Sequence, residues 1–168
     1  MRNVNLSVRE AKSFDLPAVV NLLAEMDAGG TPMPVYRAER ILREMARYPD
    51  YRCYLAFVSG MPVATFSLLI FDSLVHGGAR EALLDGVVVT ASRRSQGLGH
   101  LLMQEAMRFA TVAGCYKLAL SSNMGRPDAH RFYESLGFRQ HGISFAIAAP
   151  ESRYEGAVTD KLSAITAK

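Results

Sequence analysis

No apolar run in this chain approaches the roughly 18 residues that a membrane-crossing helix needs, and its mean hydropathy is only +0.07. A membrane protein is not expected. Cysteine is scarce: Cys53 and Cys115 stand far apart in strand-like segments. That is too few and too distant for a disulfide framework or a zinc module, and it suits a reducing compartment. The four histidines, His76, His100, His130 and His141, show no paired metal-ligand spacing, so no metal is expected. Nor is there a dense basic stripe. Lys and Arg number 19 against 16 Asp and Glu, a net charge of +3, which suits a small anionic ligand better than nucleic acid. The opening Met1-Arg2-Asn3-Val4 carries no apolar signal core, so a cytoplasmic location is expected. Repeats, low-complexity tracts and dividing linkers are also missing. With 49% hydrophobic residues in 168, the expectation is one domain, 1–168, with ample core.

What is present alternates helix-like and strand-like patterns. A short strand is expected over 6–10, then a helix capped by Asp15, with Pro17 in its first turn and Leu16, Val19, Val20, Leu23 and Met26 inward. A second helix is expected over 36–47, stopped by Pro49. Strands over 51–59 and 63–71 flank a tight Ser59-Gly60 turn. The continuous Leu83, Leu84, Val87, Val88 and Val89 predict a strand over 82–90 buried on both faces. The clearest helix spans 98–113 and stops at Gly114, followed by a strand over 116–121 and a short helix opened by Pro127 and closed by Gly137. Extended chain should return from Phe138 through Ile147, with a last strand around 144–149. The tail beyond Pro150 has weak patterning and no assignment.

The strongest chemical signal lies where the apolar strand passes into the clearest helix, at Arg93-Arg94-Ser95-Gln96-Gly97-Leu98-Gly99. Glycines let backbone amides approach an anion, and the amides at a helix start are unsatisfied and carry the positive end of its dipole. Arg94 adds a planar donor fork. A Walker loop would need Lys after the last glycine, where His100 stands, and the third glycine of a dinucleotide fingerprint is missing. A solvated glycine turn remains the structural alternative.

Arg94, Gly97 and Gly99 fill the pattern of Gln or Arg, two residues, Gly, one residue, then Gly or Ala. Downstream stand Asn123, Phe132-Tyr133 and Gly137-Phe138. Together these motifs resemble the GNAT superfamily of N-acetyltransferases, over about residues 5–147. The resemblance implies an α/β (α+β) fold, a central, mixed, mostly antiparallel, twisted sheet flanked by helices. It implies acetyl-CoA as cosubstrate. The diphosphate would lie on the amides of Arg94, Ser95, Gln96, Gly97, Leu98 and Gly99, and the pantetheine arm would pair with the main chain of Val87, Val88 and Val89. Asn123 would bond the same arm and Phe132 would stand beside it, its ring also suited to packing the core face of its helix. Tyr133 takes the family's role of protonating the leaving thiolate, the alternative being a packed aromatic. Asp85 stands where many relatives carry a catalytic Glu and is one methylene shorter. General base, water positioner, ligand for the substrate cation and turn carboxylate all stay open for it. Glu81, His76 and Asp72 are weaker stand-ins, being further from the expected thioester.

The acceptor pocket implied by the resemblance draws on 26–37 and 72–81, with Asp27, Arg37, Asp72, His76, Arg80 and Glu81 available for recognition. No acidic run suggests a groove for a basic peptide, so a small primary amine is expected, with a protein or peptide amine as the alternative. The stretch from Ser122 to Tyr133 is also similar to aminoalkylphosphonate acetyltransferases. A non-catalytic acyl-CoA-binding module is the rival class. A homodimer is a further expectation of the resemblance.

Overall fold

Burial alternates along Leu6–Glu10, giving a half-buried first strand, β1. The computed structural model describes residues 5–26 and 30–147. After a single 3-10 turn comes α1 (Leu16–Ala24), with Pro17 in its first turn. Asp15 occupies the cap position, yet its carboxylate does not cap α1. It accepts the Lys12 amide at 2.8 Å and two bonds from Arg9 at 2.6 and 2.8 Å, so the expected helix cap is the buried half of an ion pair with the half-exposed Arg9, which ties the end of β1 to the start of α1. The second helix, α2, covers Val35–Met45.

Ser59 and Gly60 both take positive φ, 50° and 75°, the conformation a two-residue hairpin turn requires. The turn joins β2 (Tyr51–Val58) to β3 (Met61–Asp72) in antiparallel register. Then follow β4 (Arg80–Val89), α3 (Leu98–Val112) and β5 (Lys117–Leu120). The sheet order is β1-β2-β3-β4-β5, antiparallel throughout except for the β4–β5 pair. This is the mixed, mostly antiparallel sheet that was expected.

Two helical layers cover the two faces. On one, Val19 and Leu22 of α1 pack with Ala11, Cys53, Leu55 and Val88, and Leu42 and Met45 of α2 lean on the same cluster. On the other, Phe109 of α3 stacks on Tyr54 at 4.6 Å, and Leu102, Met103, Ala106 and Ala110 are buried. β4 departs from expectation. Ala82, Leu84 and Val88 are buried, but Leu83 is 41% exposed, because the α1 layer reaches the Val88 end of this face and leaves the Leu83 end open.

The chain divides into two compact units, Met1–Asn123 and Met124–Lys168. The first holds the sheet and α1 to α3. The second holds α4 (Pro127–Ser135), closed by Gly137 at φ 88°. Residues 138–147 form no strand, contrary to expectation. Ile143, Phe145 and Ile147 keep a strand-like alternation but are 82%, 92% and 91% exposed, and alternation alone does not hold a strand without a sheet to join. Residues 148–149 of the expected last strand lie outside the described residues, as does the tail. Among the described residues no helix is long and apolar enough to cross a membrane.

Candidate active site

β4 is the strand on which the site is built, because its two neighbours treat it differently. Parallel pairing with β5 matches Glu81–Leu84 to Lys117–Leu120 and ends there, while β4 continues to Val89 beside β3. Just past the last parallel pair, the β3 register shifts: Ser67 faces Asp85 and Thr65 faces Val88. Gly86 and Val87 therefore stand against the single residue Phe66, a bulge. Gly86 takes φ +62°, and a Cβ built there would meet Leu23 Cδ2 of α1 at 3.4 Å. A bulge bends its strand and increases local twist. Val88 and Val89 thus pair with Thr65 and Ala64 of β3, Val87 belongs to the bulge, and the pairing of β4 with β5 does not extend beyond Leu84.

The chain then makes one 3-10 turn at Ala91–Arg93 and enters α3. From Ala91 to Gly97 every residue is exposed, until Leu98 buries its side chain. Ser95 has φ 59°, and Gly97, at the N-cap, has φ 79° with no side-chain cap. Left-handed residues within such a turn are compatible with successive amides converging on one point, an arrangement suited to anions. The amides of Leu98 and Gly99 have no acceptor within the helix, and a 15-residue helix stands behind them. Its dipole adds positive potential at the same point. Val88 and Leu98 are buried, so neither presents its side chain at the surface of the junction.

Arg94 is exposed, yet its guanidinium folds back on the end of β4. Its Nε donates to the Val89 carbonyl at 3.1 Å, Nη2 reaches the Glu25 carbonyl at 3.5 Å, and the same nitrogen lies 3.8 Å from Glu25 Oε2. Glu25 is a residue that sequence reasoning missed. It ends α1, and its carboxylate accepts the Ala91 amide at 2.6 Å and the Thr90 hydroxyl at 2.9 Å. Gln96 donates across the loop to the Ser92 carbonyl at 3.3 Å.

Asp85 is exposed beside the bulge, and Oδ1 accepts the Gly86 amide at 2.8 Å. The register lines it up with Ser67 and Cys53 across one sheet face. Burial pushes the Tyr51 phenol up, and the Asp85 charge adds to that shift. Burial likewise raises the Cys53 thiol, keeping it protonated. The weaker stand-ins are engaged elsewhere. Asp72 bonds Arg80 at 2.8 and 3.1 Å. Glu81 pairs with Lys117 at 2.9 Å, which holds its carboxyl below the usual range. Asp72 and Arg80 are thus paired with each other, and Glu81 with Lys117. Asp27 lies outside the described residues.

In the second unit, Tyr133 is half-buried on α4, its ring 5.4 Å from Phe132 and 5.9 Å from Phe138. The Phe138 amide returns to the Tyr133 carbonyl at 3.1 Å, closing the helix end. Asn123 is exposed at the end of the first unit.

Residues 16–138 match the model of the acetyltransferase (GNAT) family. The chain belongs to that family. It is similar to glucosamine 6-phosphate N-acetyltransferase of Trypanosoma brucei brucei, 31% identical over 147 residues that cover 82% of this chain and 92% of the relative. It is also similar to aminoalkylphosphonate N-acetyltransferase of Salmonella typhimurium, 29% identical over 141 residues covering 84% and 90%. A solved Trypanosoma brucei acetyltransferase superimposes with a TM-score of 0.73 at 26% identity, covering 86% of this chain and all of that one, 100%. This GNAT chain is an acyltransferase, and its relatives place it among the enzymes that acetylate amines.

Proposed function

We propose that the enzyme transfers the acetyl group of acetyl-CoA directly to a primary amine of a small molecule bearing a phosphoryl or phosphonyl group. The observation that carries the donor half is a coincidence in space. The strand end at Val87–Val89, unpaired with β5, leads through the Ala91–Arg93 turn to the start of α3, where Ser95 and Gly97 are left-handed. A pantetheine arm needs main-chain partners and a diphosphate needs convergent amides, and here the two are consecutive. The acceptor half draws support from two relatives whose names pair an amine with a phosphate or phosphonate. Arg37, Arg40 and Arg43 at three-residue spacing along α2 are suitable cations for such a group.

In the proposed reaction the neutral amine attacks the thioester carbonyl. A C–N bond forms, the carbonyl oxygen gains charge beside an amide of the 86–89 segment, and the C–S bond then breaks. The amine must first lose a proton, since an alkylammonium has a pKa of about 10.4. Asp85 takes that proton through a bridging water, its reach being one methylene short of a glutamate. The departing thiolate takes a proton from the Tyr133 hydroxyl, a role assigned from the family resemblance, and the second proton shed by the nitrogen as the amide forms restores that hydroxyl. A phenol near pKa 10 and a thiol near about 8.5 are close enough for that transfer.

The test is thiol release from acetyl-CoA across a panel of primary amines with and without phosphoryl groups. Steady release that requires an amine, with kcat/KM highest for the phosphorylated members, supports the reading. Coenzyme A binding with no release across the panel makes the chain a non-catalytic acyl-CoA module instead.

A further inference from the structure

The loop proposed to hold the diphosphate has no apolar anchor of its own. From Ala91 to Gly97 every side chain is exposed, and two residues hold left-handed backbone. Leu98 pins the far end by burial. At the near end stands Glu25, whose two carboxylate oxygens take the Thr90 hydroxyl at 2.9 Å and the Ala91 amide at 2.6 Å, while its carbonyl and Oε2 lie against Arg94 at 3.5 and 3.8 Å. The contacts join a helix end to a loop 65 and 66 positions further along the chain. A carboxylate receiving a main-chain amide is a charge-assisted bond. The more distant, half-exposed ion pair to Arg94 adds little.

We infer that Glu25 is a positioning residue for the donor: through the Ala91 amide and the Thr90 hydroxyl it fixes the start of the loop in the conformation that binds a diphosphate. This rests on the acetyl-CoA reading above. It also makes side-chain length and acceptor geometry matter more than charge. A glutamine keeps an oxygen for the Ala91 amide and an amide nitrogen for the Thr90 hydroxyl oxygen, whereas an aspartate falls a methylene short of both.

Binding of coenzyme A and of pantetheine, which lacks the diphosphate, is measured by calorimetry and competition on the full chain. Glu25→Ala and Glu25→Asp should each weaken coenzyme A about tenfold, the loss of one to two charge-assisted bonds. Pantetheine binding should change less than about twofold. Glu25→Gln should stay within about threefold of the wild type for both ligands. Thr90→Val, which removes a single bond without touching Glu25, should show a smaller loss of the same selectivity. A merely structural glutamate would weaken both ligands alike, and that result overturns the inference. So does unchanged coenzyme A affinity in Glu25→Ala, or a glutamine variant as weak as the alanine. Wild-type protein that binds no coenzyme A sinks the donor reading itself, an outcome distinct from these.

Discussion

Arg94 Nε donates to the carbonyl of Val89 at 3.1 Å, five residues back along the chain. The bond folds the arginine over the junction between β4 and the loop and places its guanidinium against Glu25. In the proposed complex a diphosphate at the loop would compete for the same guanidinium.

Arg94→Ala should therefore weaken coenzyme A by about tenfold, typical of one charged hydrogen-bond partner. A donor truncated before the diphosphate should lose much less. Titration of both ligands checks this, and equal losses would remove Arg94 from the diphosphate contact.

Tyr133→Phe removes a hydroxyl and leaves the ring that packs near Phe132 and Phe138. Coenzyme A affinity should hold while turnover falls by about a hundredfold, the scale of a lost general acid. Steady-state thiol release beside a binding titration separates the two quantities. Unchanged turnover contradicts the proton-donor role.

Gly86 is the hinge of the bulge. Its φ of +62° disfavours a side chain, while a Cβ there would meet only the Leu23 methyl at 3.4 Å, an ordinary contact. Gly86→Ala should cost about 1–2 kcal/mol in denaturant melts, the left-handed penalty for an L-residue. Gly86→Asn should cost less, since asparagine tolerates this region better. Equal stability of all three would mean the strand does not need this bend.

The Arg9–Asp15 pair sets a pH dependence of stability. Hydrogen bonds from Arg9 hold the Asp15 carboxyl below its ordinary range. The folded state thus binds fewer protons than the unfolded one, and stability rises with pH through this window. The contribution is complete above the unfolded value of about 3.9 and is lost as pH falls through the lower folded value. Asp15→Asn should melt earlier than wild type at pH 7, with the gap closing in acid. A gap independent of pH would count against the ion pair.

Much of the fold was readable where the signal was local. Ser59-Gly60, Pro17, Gly114 and Gly137 each mark a boundary through their own backbone preferences, and the structure puts a turn or a helix end at each. The loop at 94–99 was legible for the same reason. What stayed hidden depends on distant partners. Glu25 is an ordinary helix-end glutamate until the fold brings Ala91 to it. The bulge at Gly86 arises from the register against β3, not from its neighbours in sequence. Leu83 looked buried because a run of apolar residues does not say how far a helical layer extends over a sheet. Asp15 read as a helix cap because nothing local announces that Arg9 will claim it.

The most direct measurement follows backbone amides of nitrogen-15-labelled protein by NMR as coenzyme A is added. The resonances of Ser95, Gln96, Gly97, Leu98 and Gly99 should shift together with those of Val87–Val89, saturating at one ligand concentration, while Gly77 and Gly78 in the distant β3–β4 connection stay in place. Saturable binding that moves other residues and leaves 95–99 unshifted would contradict the diphosphate site on which the account rests.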